Sequence, residues 1–346
     1  MRDGNIVIID GRQVKSALTG REAEVIEAVR WAYVAHAKGR TSLPHSTFLR
    51  FPDQRQNRII ALAAYLGDGF DVAGIKWIAS FPENVKANID RASAVMVLNS
   101  TTTGRPEAII EGSLISAQRT AASAALAASV LHADKSVTHA GVIGCGVINF
   151  EIVKFLKTVY PSLTRLTVFD VDAGRADSFA ERCSQISATL KTRIVWDTEE
   201  VLASAPVISI ATTAVEPHIS DLSPCATGST ILHISLRDLT AEAILTTDNV
   251  VDDPDHVCRA GTSVHLAEQT LGHRRFIRCT LADVLMESAP PRRNEEDIVV
   301  FSPFGLGILD LAVGSLVRRL CAEHDRGMVL TSFFPEPWAE FELSHR

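Results

Sequence analysis

Between residues 139 and 302, short apolar runs alternate with amphipathic segments, and this pattern restricts the fold to few architectures. The apolar runs predict strands, and the segments between them predict helices. The predicted strands are HAGVIG, RLTVFDV, RIVWD, VISIATT, TILHIS, a run at 249–253 and DIVVFS, and two of the helices are AGRADSFAERC and TEEVLAS. Strands and helices that alternate at this spacing form a parallel, doubly wound sheet.

The first of these strands runs into a glycine turn and an amphipathic helix, in the stretch GVIGCGVINFEIVKFL. In dinucleotide-binding folds of the Rossmann type, one glycine makes the tight turn and the next lets the backbone approach the pyrophosphate. Gly144 and Gly146 fill these two positions. Asn149 stands at the third position, where glycine or alanine is usual, and can occupy it only if the helix is slightly displaced.

The end of the next strand supports a nucleotide site. Asp170 lies 170 − 149 = 21 positions after Asn149, where an acidic residue hydrogen-bonds the adenosine ribose. Because the same charge repels a 2′-phosphate, NAD is favoured over NADP. Arg175 lies close enough in the sequence to leave the use of both cofactors open. A nucleotide-free fold whose glycines only shape a turn is the alternative. The order of strand, turn, helix, strand and terminal Asp favours the dinucleotide site.

The residues before this region follow a different pattern. Residues 21–38 predict a helix that ends at Gly39, and RIIALAAYL, VAGIKWIAS, SAVMVLN and PEAIIEGSLIS predict strands of a mostly antiparallel sheet. An alanine-rich helix is predicted from about Ser116 to His132, and the helix after SPFGLG can return the chain to this region. The predicted fold class is α/β: a doubly wound Rossmann-type NAD domain (119–302) inserted in a strand-rich α+β domain (1–118 and 303–346) for substrate binding and dimerisation.

Composition narrows the classes of function. The 346 residues carry a formal net charge of −7 without a dense Lys/Arg run, so neither nucleic acid nor a membrane surface is an expected partner. The N-terminal MRDGNIVIIDGRQV is too acidic, and its apolar run too short, for a signal peptide, and no uninterrupted apolar segment is expected to span a bilayer. Six scattered cysteines without zinc-ligand spacing predict free thiols in a reducing cytoplasm and no metal site.

Six segments carry a family resemblance: GIKWIAS, DRASAVMVLN, EGSLISAQRTAA, GVIGCGVI, ILHISLRDL and SPFGLGILDL. They occur in the order seen in the ornithine cyclodeaminase/μ-crystallin family, and the chain is identified as a member over nearly its whole length. The resemblance implies a homodimeric oxidoreductase that uses NAD and removes hydride from an amine-bearing carbon of a small molecule.

Within the family, GIKWIAS followed by PEN and RASAVMVLN is most similar to the branch that oxidises N-(2-amino-2-carboxyethyl)-L-glutamate. Ile148 fits this branch, because cyclodeaminases usually carry glutamine there. The implied products are L-2,3-diaminopropionate for siderophores or peptide antibiotics, 2-oxoglutarate and NADH. Ornithine cyclodeamination, another ketimine or alanine oxidoreduction, and a non-catalytic nucleotide-binding role like the family's crystallin use are the alternatives.

The resemblance also implies roles for individual positions. Lys76 and Asp238 are expected to be catalytic, and Arg50, Lys76 and Arg119 to bind the substrate. The expected cofactor contacts are Ser93, Arg119, Thr120, Gly144, Gly146, Val147, Ile148, Asp170, Thr212, Ser235 and Leu236.

Each role has an ordinary alternative. Lys76 would otherwise be an exposed strand lysine, although its apolar neighbours argue against that, and Arg119 an ordinary surface arginine. Asp238 would otherwise cap the helix that starts near TAEAIL, which spacing alone makes nearly as good an explanation. Ser93 and Thr212 would otherwise cap backbone groups.

Overall fold

The computed structural model describes residues 4–335, except for the side chain of Arg55. Its strands, in chain order, are β1 (Ile6–Ile9), β2 (Thr41–Ser42), β3 (Thr47–Phe51), β4 (Gln54–Leu66), β5 (Val72–Ser80), β6 (Ala92–Ser100), β7 (Pro106–Glu111), β8 (His139–Ile143), β9 (Arg165–Phe169), β10 (Lys191–Ile194), β11 (Val207–Ile210), β12 (Thr230–His233), β13 (Asp248–Val251), β14 (Ile277–Thr280), β15 (Val299–Ser302) and β16 (Met328–Leu330).

The helices are α1 (Gly11–Leu18), α2 (Glu22–Ala37), α3 (Ser113–Leu131), α4 (Val147–Val159), α5 (Ala173–Ser184), α6 (Thr198–Ser204), α7 (Ala241–Leu245), α8 (Pro254–Val257), α9 (Ser263–Leu271), α10 (Leu281–Leu285) and α11 (Gly307–Glu323), with a 3-10 turn at Pro82–Ala87.

The described chain divides into two compact units. Residues 4–21, 38–116 and 307–335 belong to the first, and residues 22–37 and 117–306 to the second. The predicted boundaries, 1–118 and 303–346 against 119–302, differ from this division most at α2, which they assign to the first domain. In the structure α2 packs against α4 and α10, so it belongs to the second unit. Hydrophobic periodicity identifies the buried face of a helix but not the elements that cover it.

The first unit is built on a sheet with the strand order β16-β1-β7-β6-β5-β4-β2, in which β3 also pairs with β4. All pairs are antiparallel except β1 with β7, so the expectation of a mostly antiparallel sheet is confirmed. Helix α11 packs against β4, β5 and β6. One face of the central strands is therefore covered within this unit.

One predicted strand of this region is too long. PEAIIEGSLIS is a strand only as far as Glu111, and its last residues begin α3, three positions before the predicted start at Ser116. The Glu111 carboxylate accepts hydrogen bonds from the backbone N–H groups of Ser113 (2.6 Å) and Leu114 (3.2 Å). These are helix N–H groups without an intrahelical partner, and an acidic side chain that satisfies them favours an earlier start.

The second unit contains eight strands in the order β10-β9-β8-β11-β12-β15-β13-β14, all parallel. The predicted fold class, a doubly wound parallel sheet combined with an antiparallel one, is confirmed. The strand order reverses between β8 and β11, which is where such sheets bind their ligands at the carboxyl ends of the strands. Strand β14 and helices α8 to α10 were not predicted, because they are short and only weakly periodic.

Helix α3 is long and apolar enough to cross a membrane by length and composition, with a mean hydropathy of 1.2. It is an exception to the expectation that no segment reaches that length. However, 72% of this stretch is buried inside the structure, and the core helix of a globular protein meets the same criterion. Its apolar character is accounted for by packing.

Candidate active site

The glycine turn after β8 requires its first glycine. Gly144 has φ +91°, and a Cβ atom there would lie 2.5 Å from the carbonyl oxygen of Ala211, which follows β11. The Gly144 N–H donates to the carbonyl of Phe169 at the end of β9 (2.8 Å). The turn is thus held between the ends of β9 and β11, the two strands that flank β8, at the point where the strand order reverses.

The second glycine opens the N-terminus of α4 to a ligand. A Cβ on Gly146 would have no described atom within 4 Å, and no described side chain caps this end of the helix. Val147, the first helical residue, is 65% exposed, and Ile148 follows it in the same turn. An uncapped helix N-terminus with open backbone access suits a negatively charged diphosphate, so these residues fit a dinucleotide.

Asn149 resolves the irregular position of the glycine motif. Its side chain is fully buried, and Nδ2 donates to the carbonyls of Ile143 (2.9 Å) and Gly144 (2.6 Å). Its Oδ1 accepts from the Ser209 hydroxyl on β11 (2.6 Å). The amide therefore ties α4 to the turn by hydrogen bonds at the point where a small residue would allow direct packing.

Asp170 lies beside the same turn, directly after β9. Its carboxylate accepts from the backbone N–H groups of Cys145 (2.7 Å) and Asp172 (3.0 Å). A groove of about 360 Å³ lies beside the turn and is lined by Cys145, Gly146 and Val147 and by Arg175 of α5. Burial, with the charge of Asp170 in addition, raises the pKa of the Cys145 thiol to about 12. A thiol that stays neutral agrees with a space-filling role for Cys145.

Asp238 occupies a fully buried cage in the loop after β12. Its carboxylate accepts hydrogen bonds from the hydroxyls of Thr212 and Ser235, and His233 Nε2 lies 3.4 Å from Oδ2. Burial opposes ionisation of this carboxyl, but His233 in its doubly protonated, cationic form, together with the hydrogen bonds from the Ser235 and Thr212 hydroxyls, outweighs it and lowers the pKa of Asp238 below the usual value. The cage therefore favours the ionised carboxylate. The capping alternative is wrong, because Thr240 caps α7 by accepting from the Ala243 N–H.

The backbone of the same loop is strained. Leu236 has φ +66°, a left-handed conformation that a bulky side chain rarely adopts, and its carbonyl accepts from the Ser263 N–H (2.7 Å). Such strain persists where surrounding contacts hold it, and it concentrates at functional sites.

Arg119 lies largely buried on α3, followed by Thr120, beside the loop after β15. Gly305 in that loop has φ +90°, and a Cβ there would lie 2.5 Å from Arg119 Nη1. The buried Asp252 holds the loop, since its carboxylate accepts from the N–H groups of Phe304 (2.9 Å) and Gly305 (2.7 Å). Sequence reasoning did not identify Asp252, although its position at the end of a predicted strand was a usable signal.

Asp252 gives a pH-dependent prediction. Burial, opposed by backbone hydrogen bonds, raises its pKa from 3.8 to about 6. A raised folded-state pKa stabilises the folded chain fully below about pH 4, and this contribution is lost as the pH rises through about 6. We expect the difference in free energy of unfolding between the wild type and Asp252→Asn to shrink by about 2 kcal/mol from pH 4.5 to pH 7.5. Urea unfolding at the two pH values measures it, and a constant difference would contradict the assignment.

Lys76 on β5 belongs to the first unit and is 2% exposed. Its ammonium donates to Asp310 Oδ1 of α11 (2.8 Å) and to the Ser116 hydroxyl (3.0 Å). The exposed-lysine alternative is therefore wrong. Asp310, itself buried, was missed by sequence reasoning, although an acidic residue in the apolar helix GILDLAVG was a usable signal.

Strand register separates the two other predicted residues of the first unit. Arg50 of β3 pairs with Arg58 of β4, and Lys76 of β5 pairs with Leu62 of β4. Arg58 and Leu62 are four positions apart on the same strand, so their side chains lie on the same face of the sheet. Arg50 and Lys76 therefore share a face of this sheet. Ser93 of β6 pairs with Ala79 and lies, exposed, on the opposite face. The roles of all the predicted site residues remain predictions.

The chain resembles known proteins over nearly its full length. The model of the ornithine cyclodeaminase/mu-crystallin family matches residues 12–324. The N-((2S)-2-amino-2-carboxyethyl)-L-glutamate dehydrogenase of Staphylococcus aureus is 27% identical over 91% of this chain and 95% of that protein.

Two solved structures share the fold. The Δ1-pyrroline-2-carboxylate reductase of Thermococcus litoralis in complex with NADH and L-proline has a TM-score of 0.86 and 25% identity, over 93% of this chain and 99% of that one. An archaeal alanine dehydrogenase dimer with bound NAD has a TM-score of 0.85 and 25% identity, over 95% and 100%. The chain thus belongs to the ornithine cyclodeaminase/mu-crystallin family and is an NAD-dependent oxidoreductase that acts on the CH–NH groups of amino acids.

Proposed function

We propose that this enzyme oxidises N-(2-amino-2-carboxyethyl)-L-glutamate with NAD and water to L-2,3-diaminopropionate, 2-oxoglutarate, NADH and a proton. The observation that carries the proposal is the similarity to the Staphylococcus aureus dehydrogenase, which extends through both units. The diamino acid would serve siderophore or peptide-antibiotic synthesis.

The chemistry begins at the α-carbon of the glutamate part of the substrate. Gly144 and Gly146 of the glycine turn, together with Asp170, would hold NAD, which would supply the hydride acceptor for this carbon. The loss of hydride leaves a protonated C=N bond on the substrate. A buried carboxylate such as Asp238 stabilises that positive charge, and its ionised form is the one able to take a proton from water.

Water then adds to the imine carbon as Asp238 accepts one of its protons. Asp238 then gives this proton to the carbinolamine nitrogen. The C–N bond breaks as the hydroxyl loses its proton, which releases the amine of diaminopropionate and the ketone of 2-oxoglutarate. Although the lowered pKa makes Asp238 a weak base, the cationic imine is a strong electrophile. The Thr212 and Ser235 hydroxyls keep the carboxylate oriented.

Positive side chains match the several carboxylates of this substrate. We assign Lys76, Arg50 and Arg119 to them, because guanidinium and ammonium groups are the usual partners of carboxylates. The pair with Asp310 holds the Lys76 ammonium in one orientation. The guanidinium of Arg119 lies directly against Gly305, and this close contact restricts its position.

A substrate panel tests the proposal against its nearest alternative. The proposed reaction accumulates one NADH for each conjugate consumed. Ornithine cyclodeamination releases ammonia and forms proline without net NADH, since the hydride returns to the cyclic imine. NADH absorbance and ammonia release, measured on the conjugate and on L-ornithine, separate the two reactions.

Asp170→Ala is expected to weaken NAD binding by roughly tenfold to a hundredfold, the effect of losing hydrogen bonds to a charged group. It should also relax the discrimination against NADP, because the repulsive charge is lost. Calorimetric titration with both cofactors measures these effects. Unchanged affinity for NAD would refute the assignment of Asp170 to the ribose.

We also propose a homodimer formed through the face of the first sheet that α11 does not cover. Strand register places Leu49, Tyr65, Trp77 and Val95 on that face, and each is substantially exposed, Trp77 at 39% and Leu49 at 42%. Contiguous exposed apolar surface of this kind favours a protein partner. The archaeal alanine dehydrogenase, which is a dimer, supports a second copy of this chain as that partner.

Light scattering is expected to give twice the chain mass of 37.5 kDa at micromolar concentration. Trp77→Asp should shift the protein toward the single-chain mass, because a charge cannot be buried unpaired in an apolar interface. Met328→Asp, at an exposed position on the edge strand β16, is the matched control and should leave the mass unchanged. A single-chain mass for the wild type would contradict the dimer.

A cytoplasmic location fits the proposal as well. All six cysteines are unpaired thiols, which agrees with a reducing compartment.

A further inference from the structure

We propose that His233, to which no role has been assigned, is a positioning residue that holds Asp238 in place and is itself oriented by Ser302. The inference rests on the proposed function, in which Asp238 is catalytic. His233 is the last residue of β12 and Ser302 the last of the adjacent β15, so both side chains stand at the carboxyl edge of the sheet. Asp238 follows five positions after His233.

The ring of His233 is fully buried and faces a polar partner on each side. Nδ1 lies 3.3 Å from the Ser302 hydroxyl, and Nε2 lies 3.3 Å from the backbone nitrogen of Asp238. An apolar side chain of similar size could fill the same space but could not form these two hydrogen bonds. A buried polar ring persists where its hydrogen bonds are satisfied.

The donors determine the tautomer. The backbone N–H of Asp238 can only donate, and it lies slightly closer to Nε2 (3.3 Å) than the carboxylate Oδ2 does (3.4 Å). In the neutral ring Nε2 therefore accepts from this N–H, and the ring proton on Nδ1 donates to the Ser302 hydroxyl. His233 thereby fixes the backbone from which the Asp238 carboxylate extends. The hydroxyls of Thr212 and Ser235 hold the carboxylate itself.

The strained loop explains why such an anchor is needed. Leu236 lies between His233 and Asp238 with φ +66°, a conformation that relaxes unless neighbouring contacts oppose it. The His233–Asp238 hydrogen bond spans this strained residue. Without it, the carboxylate would lose its fixed direction while the sheet and the glycine turn stayed intact.

Kinetics of three variants test the proposal. His233→Phe should lower kcat by roughly tenfold to a hundredfold, as the loss of a supporting hydrogen bond behind a reacting group does, with an unchanged Kd for NAD. His233→Gln should recover most of the activity, because its amide oxygen can accept from the Asp238 N–H. Ser302→Ala should cause a smaller loss in kcat.

A double-mutant cycle distinguishes positioning from general stability. If His233 acts through Asp238, the double variant His233→Phe/Asp238→Asn should have the same kcat as Asp238→Asn alone. Independent losses that multiply, or wild-type kcat in His233→Phe, would overturn the inference. If His233→Phe does not fold, the same cycle is run with Ser302→Ala, for which the same two outcomes decide.

A substrate-free measurement separates this inference from the proposed function. Nitrogen-15 NMR of histidine-labelled protein, with His233→Gln used to assign the signal, should show the proton of His233 on Nδ1. A proton on Nε2 would overturn the inference whatever the substrate is. Failure of the wild type to oxidise the conjugate, with the Nδ1 tautomer observed, would instead refute only the proposed function.

Discussion

Asp238→Asn is expected to reduce kcat for NADH formation by roughly two to four orders of magnitude, the usual contribution of a positioned acid–base group. Asparagine has nearly the same size. One of the two hydroxyls of Thr212 and Ser235 can still donate to its Oδ1, and the other can rotate to accept from its Nδ2. The cage should therefore persist while the basic carboxylate is lost. The Kd for NAD should stay at its wild-type value, because the glycine turn is unchanged.

Thr240→Ala is the matched control for this variant. Thr240 caps α7, so its loss should cost about 1 kcal/mol of stability with near-normal turnover. Asp238→Asn should show the reverse pattern, a large loss of turnover with little change in melting temperature. Full activity in Asp238→Asn would mean that another group activates the water.

Lys76→Met is expected to destabilise this enzyme strongly. It leaves the Asp310 carboxylate buried without its ammonium partner, and removal of one member of a buried ion pair costs roughly 3–5 kcal/mol. Turnover should also be lost, because the positive charge assigned to a substrate carboxylate disappears. Urea unfolding and NADH formation on one preparation measure both effects.

The double variant Lys76→Met/Asp310→Asn separates stability from catalysis. A neutral amide needs no counter-charge, so stability should largely return while turnover stays low. Recovery of turnover together with stability would show that Lys76 has only a structural role. An unchanged free energy of unfolding in Lys76→Met would contradict the buried ion pair.

Local patterns made much of the second unit predictable. The strands, the glycine turn and the acidic residue after the second strand all lie within a few tens of residues. The sequence alone therefore places Gly144, Gly146 and Asp170 at the turn. Asp238 could be placed after a strand, but the choice between cap and site required its hydrogen-bond partners. Thr240 and the cage around Asp238 decide that choice.

The features that sequence reasoning missed depend on pairings between distant residues. Lys76 and Asp310 are 234 positions apart, and Asp252 and Gly305 are 53 apart. The spacing of a single segment contains no information about such partners. The role of Asn149 also depends on a distant partner. An asparagine at the third position of the glycine motif looks irregular until its side-chain hydrogen bonds with Ser209 and with the carbonyl of Ile143 are known.

We propose that this family member oxidises and hydrolyses one particular secondary amine. Wild-type enzyme incubated with synthetic N-(2-amino-2-carboxyethyl)-L-glutamate and NAD, with products identified by mass spectrometry, tests it directly. The expected products are L-2,3-diaminopropionate, 2-oxoglutarate and NADH in equal amounts. An untouched conjugate, with NADH formed from L-alanine or L-proline or with L-ornithine converted to proline, would contradict it.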